Sequence, residues 1–132
     1  MLMMPKPLIG VWLLGFGLLA ACDSTQPTQS TQAVVSGPVP VEFQPGETTF
    51  NAHCARCHGK QAAGTDVGPP LVHKIYEPNH HGDAAFQRAT ANGVQAHHWQ
   101  FGNMPKIDAV TPADVDQIVK YVRWLQRQAG IQ

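Results

Sequence analysis

The chain has 132 residues, which is enough for one small folded domain and little more. Nine Lys and Arg balance nine Asp and Glu, so the formal net charge at pH 7 is zero when histidine is neutral. Proteins that bind nucleic acid usually carry an excess of clustered positive charge. The balanced composition therefore gives no reason to expect a nucleic-acid partner.

The first 21 residues have the pattern of an export signal. One basic residue, Lys6, precedes an apolar run over residues 8–21 that only glycines interrupt. The run has 14 residues, whereas a stable membrane-spanning helix needs roughly 20. Residues 1–21 are therefore predicted to be a signal peptide rather than a permanent transmembrane anchor.

The segment Leu19-Ala20-Ala21-Cys22 directly follows and resembles the lipobox of bacterial lipoproteins. The resemblance implies that Cys22 is acylated and becomes the new N-terminus, which also accounts for an odd third cysteine in an exported chain. Several acyl chains hold a protein durably at a bilayer. Asp23 resembles a retention signal for the inner membrane. The alternative is ordinary cleavage that leaves Cys22 as a free thiol.

Residues 22–41 are predicted to be a flexible tether. They are mostly Thr, Gln, Ser, Pro and Val, they show no apolar periodicity, and Pro27, Pro38 and Pro40 oppose helix formation. The folded domain is then expected over residues 42–132. The tether would let this domain move at some distance from the membrane surface.

Three helices are predicted in the domain. The first covers about residues 46–58, where Phe50, Cys54 and Cys57 are spaced to share one helical face. The second covers about residues 83–91, with Asp83 as the N-cap and a stop at Gly93.

The third helix has the clearest start signal, since Thr111-Pro112-Ala113-Asp114 offers an N-cap, a proline at the first helical position and an acidic first turn. Its apolar stripe consists of Val115, Ile118, Val119, Val122 and Leu125. The connecting segments are rich in Gly and Pro and lack a strand pattern. An all-α fold with long loops is therefore expected, and such loops usually need something to wrap around.

The segment Cys54-Ala55-Arg56-Cys57-His58 has the Cys-x-x-Cys-His spacing of covalent haem attachment. Two thiols three positions apart on a helix can both bond the haem vinyl groups, and the histidine then lies under the iron as its proximal ligand. A zinc site would need four protein ligands, often two Cys pairs, and only two cysteines remain in this domain. A thioredoxin-like pair would accompany a βαβ pattern, which is absent, and a structural disulfide would not require His58. One covalently bound haem c is therefore expected.

The sixth iron ligand is predicted by elimination. Met1, Met3 and Met4 leave with the signal peptide, so Met104 is the only methionine of the mature chain. It precedes Pro105, whose stiff backbone could present the thioether to the iron. A lone methionine is more often a core residue, but its place after a haem motif and before the last helix favours ligation.

From about residue 46 to residue 126 the chain resembles a class I cytochrome c. Gly46 and Phe50 match the small and aromatic positions of that family's first helix, and Ile118 and Tyr121 match the apolar and aromatic positions of its last helix. In the family these two helices cross. The resemblance therefore implies a small cytochrome c fold in which the loops enclose the haem.

A loop motif strengthens the resemblance. Gly68-Pro69-Pro70-Leu71 is similar to the family's Gly-Pro-x-Leu loop, in which the carbonyl of the first proline accepts a hydrogen bond from the proximal histidine. The resemblance thus implies that Pro69 fixes the ring of His58 and strengthens it as a ligand.

Two histidine pairs are not part of the family's generic pattern. They could cap helices, bind haem propionates or pack in loops, or some of them could converge on a second metal such as copper or zinc, since neutral imidazole suits both. A third alternative is that His97 or His98 displaces Met104 from the iron. Trp99 and Phe101 are expected to wall the haem pocket. The four histidines are His80, His81, His97 and His98.

With His58 and Met104 both bound, the iron would have no open position for a substrate, and Met/His ligation would raise its reduction potential. The expected function is therefore single-electron transfer without catalysis, in a respiratory chain on the periplasmic side of a bacterial membrane, with redox proteins as partners. The lipid anchor would hold the protein there, and the inner membrane is favoured. A haem peroxidase or a ligand-sensing haem protein is the alternative, and either needs a labile sixth ligand.

Overall fold

The computed structural model describes residues 35–132. The predicted signal peptide, the predicted lipidation site Cys22 and most of the predicted tether lie outside the described residues. Within them the secondary structure is helical, with one isolated β-bridge between Val94 and Met104 and no strand. The predicted all-α fold is confirmed for this part of the chain. The helices are α1 (Gln44–His53), α2 (Ala55–His58), α3 (Asp83–Asn92) and α4 (Pro112–Gln128), with 3-10 turns at Val41–Phe43, Lys60–Ala62 and Lys74–Tyr76.

None of the helices in residues 35–132 has both the length and the apolar character needed to cross a membrane.

Helices α1 and α2 replace the single helix that the sequence predicts over residues 46–58. The helix begins earlier, at Gln44, and it breaks at Cys54, where φ is −118°. The turn is still hydrogen bonded, because the amide of Cys54 donates to Phe50 O at 2.8 Å and the amide of His58 donates to Cys54 O at 3.0 Å. Phe50 is buried, Cys54 half-buried and Cys57 exposed. The predicted common face is therefore interrupted at Cys54.

Helix α3 has the predicted position but not the predicted start. Its N-cap is Gly82, so the assignment of Asp83 as the cap is wrong, and Asp83 is instead the first residue of the helix. The Asp83 carboxylate accepts a hydrogen bond from Arg123 at 2.8 Å and does not cap the helix. The predicted stop at Gly93 is confirmed, with φ +75°, a conformation that glycine adopts without the steric cost of a Cβ.

Helix α4 begins as the sequence predicts. Thr111 Oγ1 accepts a hydrogen bond from the amide of Asp114, and the Asp114 carboxylate accepts one from the amide of Thr111 at 2.8 Å. This reciprocal capping box satisfies two amides that the helix itself leaves free. Behind the cap all five residues of the predicted apolar stripe are buried. Local signals are thus sufficient to place this helix.

The core forms where α1 crosses α4, and Gly46 makes the close approach possible. A Cβ at this position would overlap the main-chain oxygen of Gln117 and would lie 2.8 Å from the Cβ of Tyr121. One turn further on, Phe50 packs against Tyr121 with ring centroids 5.7 Å apart, and Tyr121 stacks on Trp124 at 6.1 Å. The two helices therefore approach closely because Gly46 has no side chain, and a row of aromatic rings packs beside the crossing.

The folded unit begins before the boundary predicted at residue 42. Val35 and Val39 pack against the core. The side-chain amide of Gln61 donates to Val35 O at 3.2 Å, and that of Gln44 donates to Val39 O at 3.1 Å. Apolar burial and these two hydrogen bonds join residues 35–41 to the domain, so this part of the predicted tether belongs to the fold.

Replacing Gly46 with Ala tests the helix crossing. The added Cβ must push α1 away from α4, and overpacking of this kind costs about 1–3 kcal/mol of unfolding free energy. Urea unfolding of the holoprotein, followed by circular dichroism, measures the loss. The control is Thr48→Ala on the exposed side of α1, which should change stability by less than about 0.5 kcal/mol. Equal stability of the two variants would contradict the proposed role of Gly46.

Candidate functional site

The imidazole of His58 is oriented by the main chain of a separate loop. Its Nδ1 donates to the carbonyl oxygen of Pro69 at 2.8 Å. A neutral imidazole carries one N–H, so this bond leaves Nε2 with a free lone pair. Burial lowers the pKa of His58, and the hydrogen bond to Pro69 offsets only part of that effect. The ring is thus neutral, fixed in one tautomer and ready to ligate a metal through Nε2.

The loop reaches His58 because Gly68 has no side chain. Gly68 is buried, and a Cβ there would lie 2.6 Å from the carbonyl oxygen of Cys57 and 3.0 Å from its Cβ. The hydroxyl of Thr65 also donates to the carbonyl oxygen of Cys57, at 2.6 Å. The glycine therefore lets the loop lie against the turn over residues 54–58, called the attachment turn because it carries the motif for covalent haem attachment. This contact brings the Pro69 carbonyl to the imidazole.

The two cysteines of the motif have different environments. Cys54 is half-buried and lines the cavity described below, whereas Cys57 is exposed and is not among the lining residues. Burial raises the pKa of the Cys54 thiol to about 11, and the neighbouring Cys57 adds to the rise. Redox-active cysteine pairs have a lowered thiol pKa. The raised value argues against a thioredoxin-like role.

Met104 is held by two main-chain hydrogen bonds, one from its amide and one to its carbonyl. Its amide donates to Val94 O and its carbonyl accepts from the amide of Val94, both at 2.9 Å. Gly93 packs against this pair, since a Cβ there would lie 2.6 Å from Met104 O. The Asn103 side chain accepts a hydrogen bond from the amide of Ala96 at 2.9 Å. The loop thus has a defined position, with the half-buried Met104 lining the cavity.

One cavity of about 630 Å³ brings the predicted site residues together. It is lined by Cys54 and His58 from the attachment turn, Pro69 from the second loop and Met104 from the third. Its volume is within the range of about 300–1,000 Å³ that is usual for cofactor pockets. Apolar side chains from α1 and α4, among them Phe50, Val115 and Ile118, form its inner wall. Trp99 and Phe101 also line it, with ring centroids 6.0 Å apart.

The indole nitrogen of Trp99 is the polar group in this wall that lacks a partner. It is buried, and among residues 35–132 no acceptor meets hydrogen-bond geometry. The Tyr76 side chain is close to Trp99, which lowers the pKa of that phenol while burial raises it more, but the contact does not meet hydrogen-bond geometry. A buried donor without an acceptor is unfavourable by about 1–3 kcal/mol. The site therefore fits a large apolar group that carries an acceptor, as haem does with its propionates.

The four additional histidines also meet beside this cavity and contribute to its lining. The Nε2 atoms of His80 and His98 are 3.2 Å apart, and the ring centroids of His97 and His98 are 4.3 Å apart. The pKa of His98 is lowered, first by desolvation and then by the neighbouring imidazoles. The sequence suggests that some of these residues converge, and the structure brings all four together.

Arg123 is the residue of this region that the sequence analysis missed. It is buried on α4, with 7% of its surface exposed. It donates to the Tyr76 carbonyl at 2.6 Å, to the His81 carbonyl and to the Asp83 carboxylate at 2.8 Å. The sequence does indicate its burial, because Arg123 follows Val119 by four residues and so lies on the apolar face of the helix. The guanidinium thus fixes the loop that presents the first histidine pair to the cavity.

Residues 43–126 match the family model for cytochrome c, and the chain therefore belongs to the cytochrome c family. The matched range covers α1, all but the last two residues of α4, the attachment turn and the loops that carry Pro69 and Met104. The family binds haem c and uses it for electron transfer. A search of curated proteins and a search of solved structures found no match to the chain.

Replacing Arg123 with Met tests whether this cation holds the cavity wall. The His81 carbonyl and the buried side-chain oxygen of Gln126 lose their donor, whereas the Tyr76 carbonyl keeps the Gln126 amide at 3.0 Å. Each group left unsatisfied costs about 1–3 kcal/mol, so a loss of about 2–4 kcal/mol in unfolding free energy is expected. The ion pair with Asp83 adds little, because 69% of that side chain is exposed. Chemical unfolding of the holoprotein measures the loss. The control is Arg127→Met at an exposed position of α4, and similar losses in both variants would contradict this role.

Proposed function

We propose that this chain is a single-electron carrier with one haem c, attached covalently through Cys54 and Cys57 and ligated by His58 and Met104. One observation carries the proposal. His58 and Met104 line the same cavity, where the imidazole of His58 is held by the Pro69 carbonyl of a separate loop and Met104 by main-chain hydrogen bonds to Val94. Membership of the cytochrome c family supports the same assignment.

The bound haem would supply a one-electron couple at its iron, and the chain's own residues would set the conditions for it. Nε2 of His58 would be the proximal ligand, with its orientation set by Pro69. The thioether of Met104 would be the second protein ligand of the iron, and with both ligands bound no position would remain for a substrate. The aromatic and aliphatic wall would keep water from the iron, and Trp99 Nε1 would donate to a propionate.

Replacing Met104 with Ala tests the ligand assignment. The oxidised variant should lose the Met-iron charge-transfer absorption, and its reduction potential should fall because a thioether ligand favours the ferrous state. Optical spectra and potentiometric titration of purified holoprotein measure both effects. The control is Lys106→Ala in the same loop, whose side chain is 62% exposed and paired with Asp108; it should leave the spectrum unchanged.

Other outcomes of this experiment discriminate between the alternatives. An unchanged oxidised spectrum in Met104→Ala would show that another residue, such as His97 or His98, ligates the iron. Carbon monoxide binding by the ferrous wild-type protein would favour a ligand sensor, and turnover of hydrogen peroxide would favour a peroxidase. A preparation whose intact mass does not include one haem would contradict the covalent attachment itself.

We further propose that the protein is exported and held by acylated Cys22 at the periplasmic side of a bacterial membrane, with the inner membrane favoured. The apolar run over residues 8–21 and the following Cys22 support this proposal. Val35 already packs against the core, and the proposed anchor Cys22 precedes it by 13 residues in the sequence. At this location redox proteins, such as an oxidase, a reductase or a dehydrogenase, would be its partners.

Replacing Cys22 with Ser tests the anchor. The variant should lose incorporation of labelled fatty acid and should move from the membrane fraction to the soluble periplasmic fraction, because acyl chains supply the membrane affinity. The neighbouring variant Ser24→Ala is the control and should stay labelled and membrane-bound. A Cys22→Ser protein that remains in the membrane fraction would contradict lipid anchoring through this residue.

A further inference from the structure

The two histidine pairs come from loops on either side of α3, and the fold brings their ring nitrogens together. Nε2 of His80 lies 3.2 Å from Nε2 of His98. His80, His81 and His98 each offer one nitrogen, and these three atoms all lie within 4.8 Å of one another. Two nitrogens bound to one ion at about 2.0–2.1 Å are roughly 2.9 Å apart in adjacent square-planar positions, as Cu²⁺ prefers, and roughly 3.3 Å apart in a tetrahedral site. The spacing of the first pair already matches such a site, and the third nitrogen needs only a small ring movement.

Backbone carbonyl groups fix the tautomer of two of the imidazoles. Nδ1 of His81 donates to Ile75 O at 2.7 Å, and Nδ1 of His97 donates to Gln95 O at 2.8 Å. Each bond places the proton on Nδ1 and leaves Nε2 free to bind a metal. Metal-ligating histidines almost always donate their other ring N–H to a carbonyl or carboxylate in this way. His58 makes the same kind of bond to Pro69 at the haem site.

The loop beneath His81 is rigid. The carbonyl oxygen of His81 accepts a hydrogen bond from buried Arg123, which also binds the carbonyl oxygen of Tyr76. The ring of His81 packs against the ring of Tyr76 at a centroid distance of 5.1 Å. His80, His97 and His98 are exposed, so an ion from solution can reach them. The cluster thus combines a fixed base with an accessible opening.

The chemistry of the donors selects the metal. The three grouped ligands are imidazoles, which suit copper, zinc and nickel, whereas calcium, magnesium and manganese prefer oxygen ligands. For a given nitrogen site the affinity of divalent ions rises to a maximum at copper. His97 can supply a fourth nitrogen, because its ring lies 4.3 Å from that of His98 and 5.9 Å from that of His81.

We propose that His80, His81 and His98, with His97 as a fourth ligand, bind one Cu²⁺ ion at a site distinct from the haem iron, and bind Zn²⁺ more weakly. This site uses His98 and His97, so it rests on Met104, and not one of these histidines, being the sixth iron ligand. A failure of the copper site would leave the assignment of His58 and Met104 untouched, because the spectrum of Met104→Ala tests that assignment separately.

Copper titration of chelator-treated holoprotein tests the proposal. Wild-type protein should bind one Cu²⁺ per haem, with a paramagnetic resonance spectrum showing nitrogen ligands, while the optical spectrum of the haem stays constant. The double variant His80→Gln/His98→Gln should bind Cu²⁺ about 100-fold more weakly, because two ligand nitrogens are lost. The matched control His53→Gln changes an exposed histidine outside the cluster and should bind as the wild type does.

Three outcomes would overturn the copper site. The first is a wild-type holoprotein that binds no Cu²⁺ or that binds Zn²⁺ more tightly. The second is equal Cu²⁺ affinity in the double variant, which would mean an adventitious surface ion only. The third is a change of the haem spectrum when His80 and His98 are replaced, without a change in Cu²⁺ affinity, which would assign the cluster to the haem site.

Discussion

The close approach of α1 to α4 at Gly46 is the constraint on which the other features depend. Because Gly46 has no side chain, Phe50 can pack against Tyr121, and the aromatic row then fixes the angle and depth of the crossing. The attachment turn follows directly from α1, so its position relative to the core is set by this contact. Helix α4 in turn supplies Val115 and Ile118 to the cavity wall and carries the buried Arg123 that holds the neighbouring loop. A single small residue thus places both halves of the site.

The site itself is organised by main-chain groups more than by side chains. The carbonyl oxygen of Pro69 orients His58, and the amide and carbonyl of Val94 position Met104. Glycines at 68 and 93 permit these contacts, because a Cβ at either position would collide with the neighbouring backbone. The prospective ligands are therefore set by the fold before any metal bond is considered, as preorganised sites require.

The sequence predicts those features that depend on nearby residues. The capping box at Thr111 and the stripe behind it are local, and the structure has both. The break at Cys54 was not predictable, because apolar spacing does not record one changed dihedral angle. Asp83 looked like a cap, but its role depends on Arg123, which is 40 residues away in sequence. Val35 and Val39 stand in a segment without apolar periodicity, so nothing in the sequence indicated that they belong to the domain. Only tertiary contacts attach them to it.

The burial of Arg123 has a consequence for the energy of an added electron. Its guanidinium lies behind Tyr76 and Phe86, two residues that line the cavity, at 5.1 Å from the ring centroid of Phe86. Its counter-charge on Asp83 is 69% exposed and is screened by water, whereas the cation is not. The wall therefore carries a fixed, unequally screened positive potential. Such a potential favours whichever state of the cavity holds one more negative charge, so in the proposed carrier the arginine that holds this loop would also favour the reduced state.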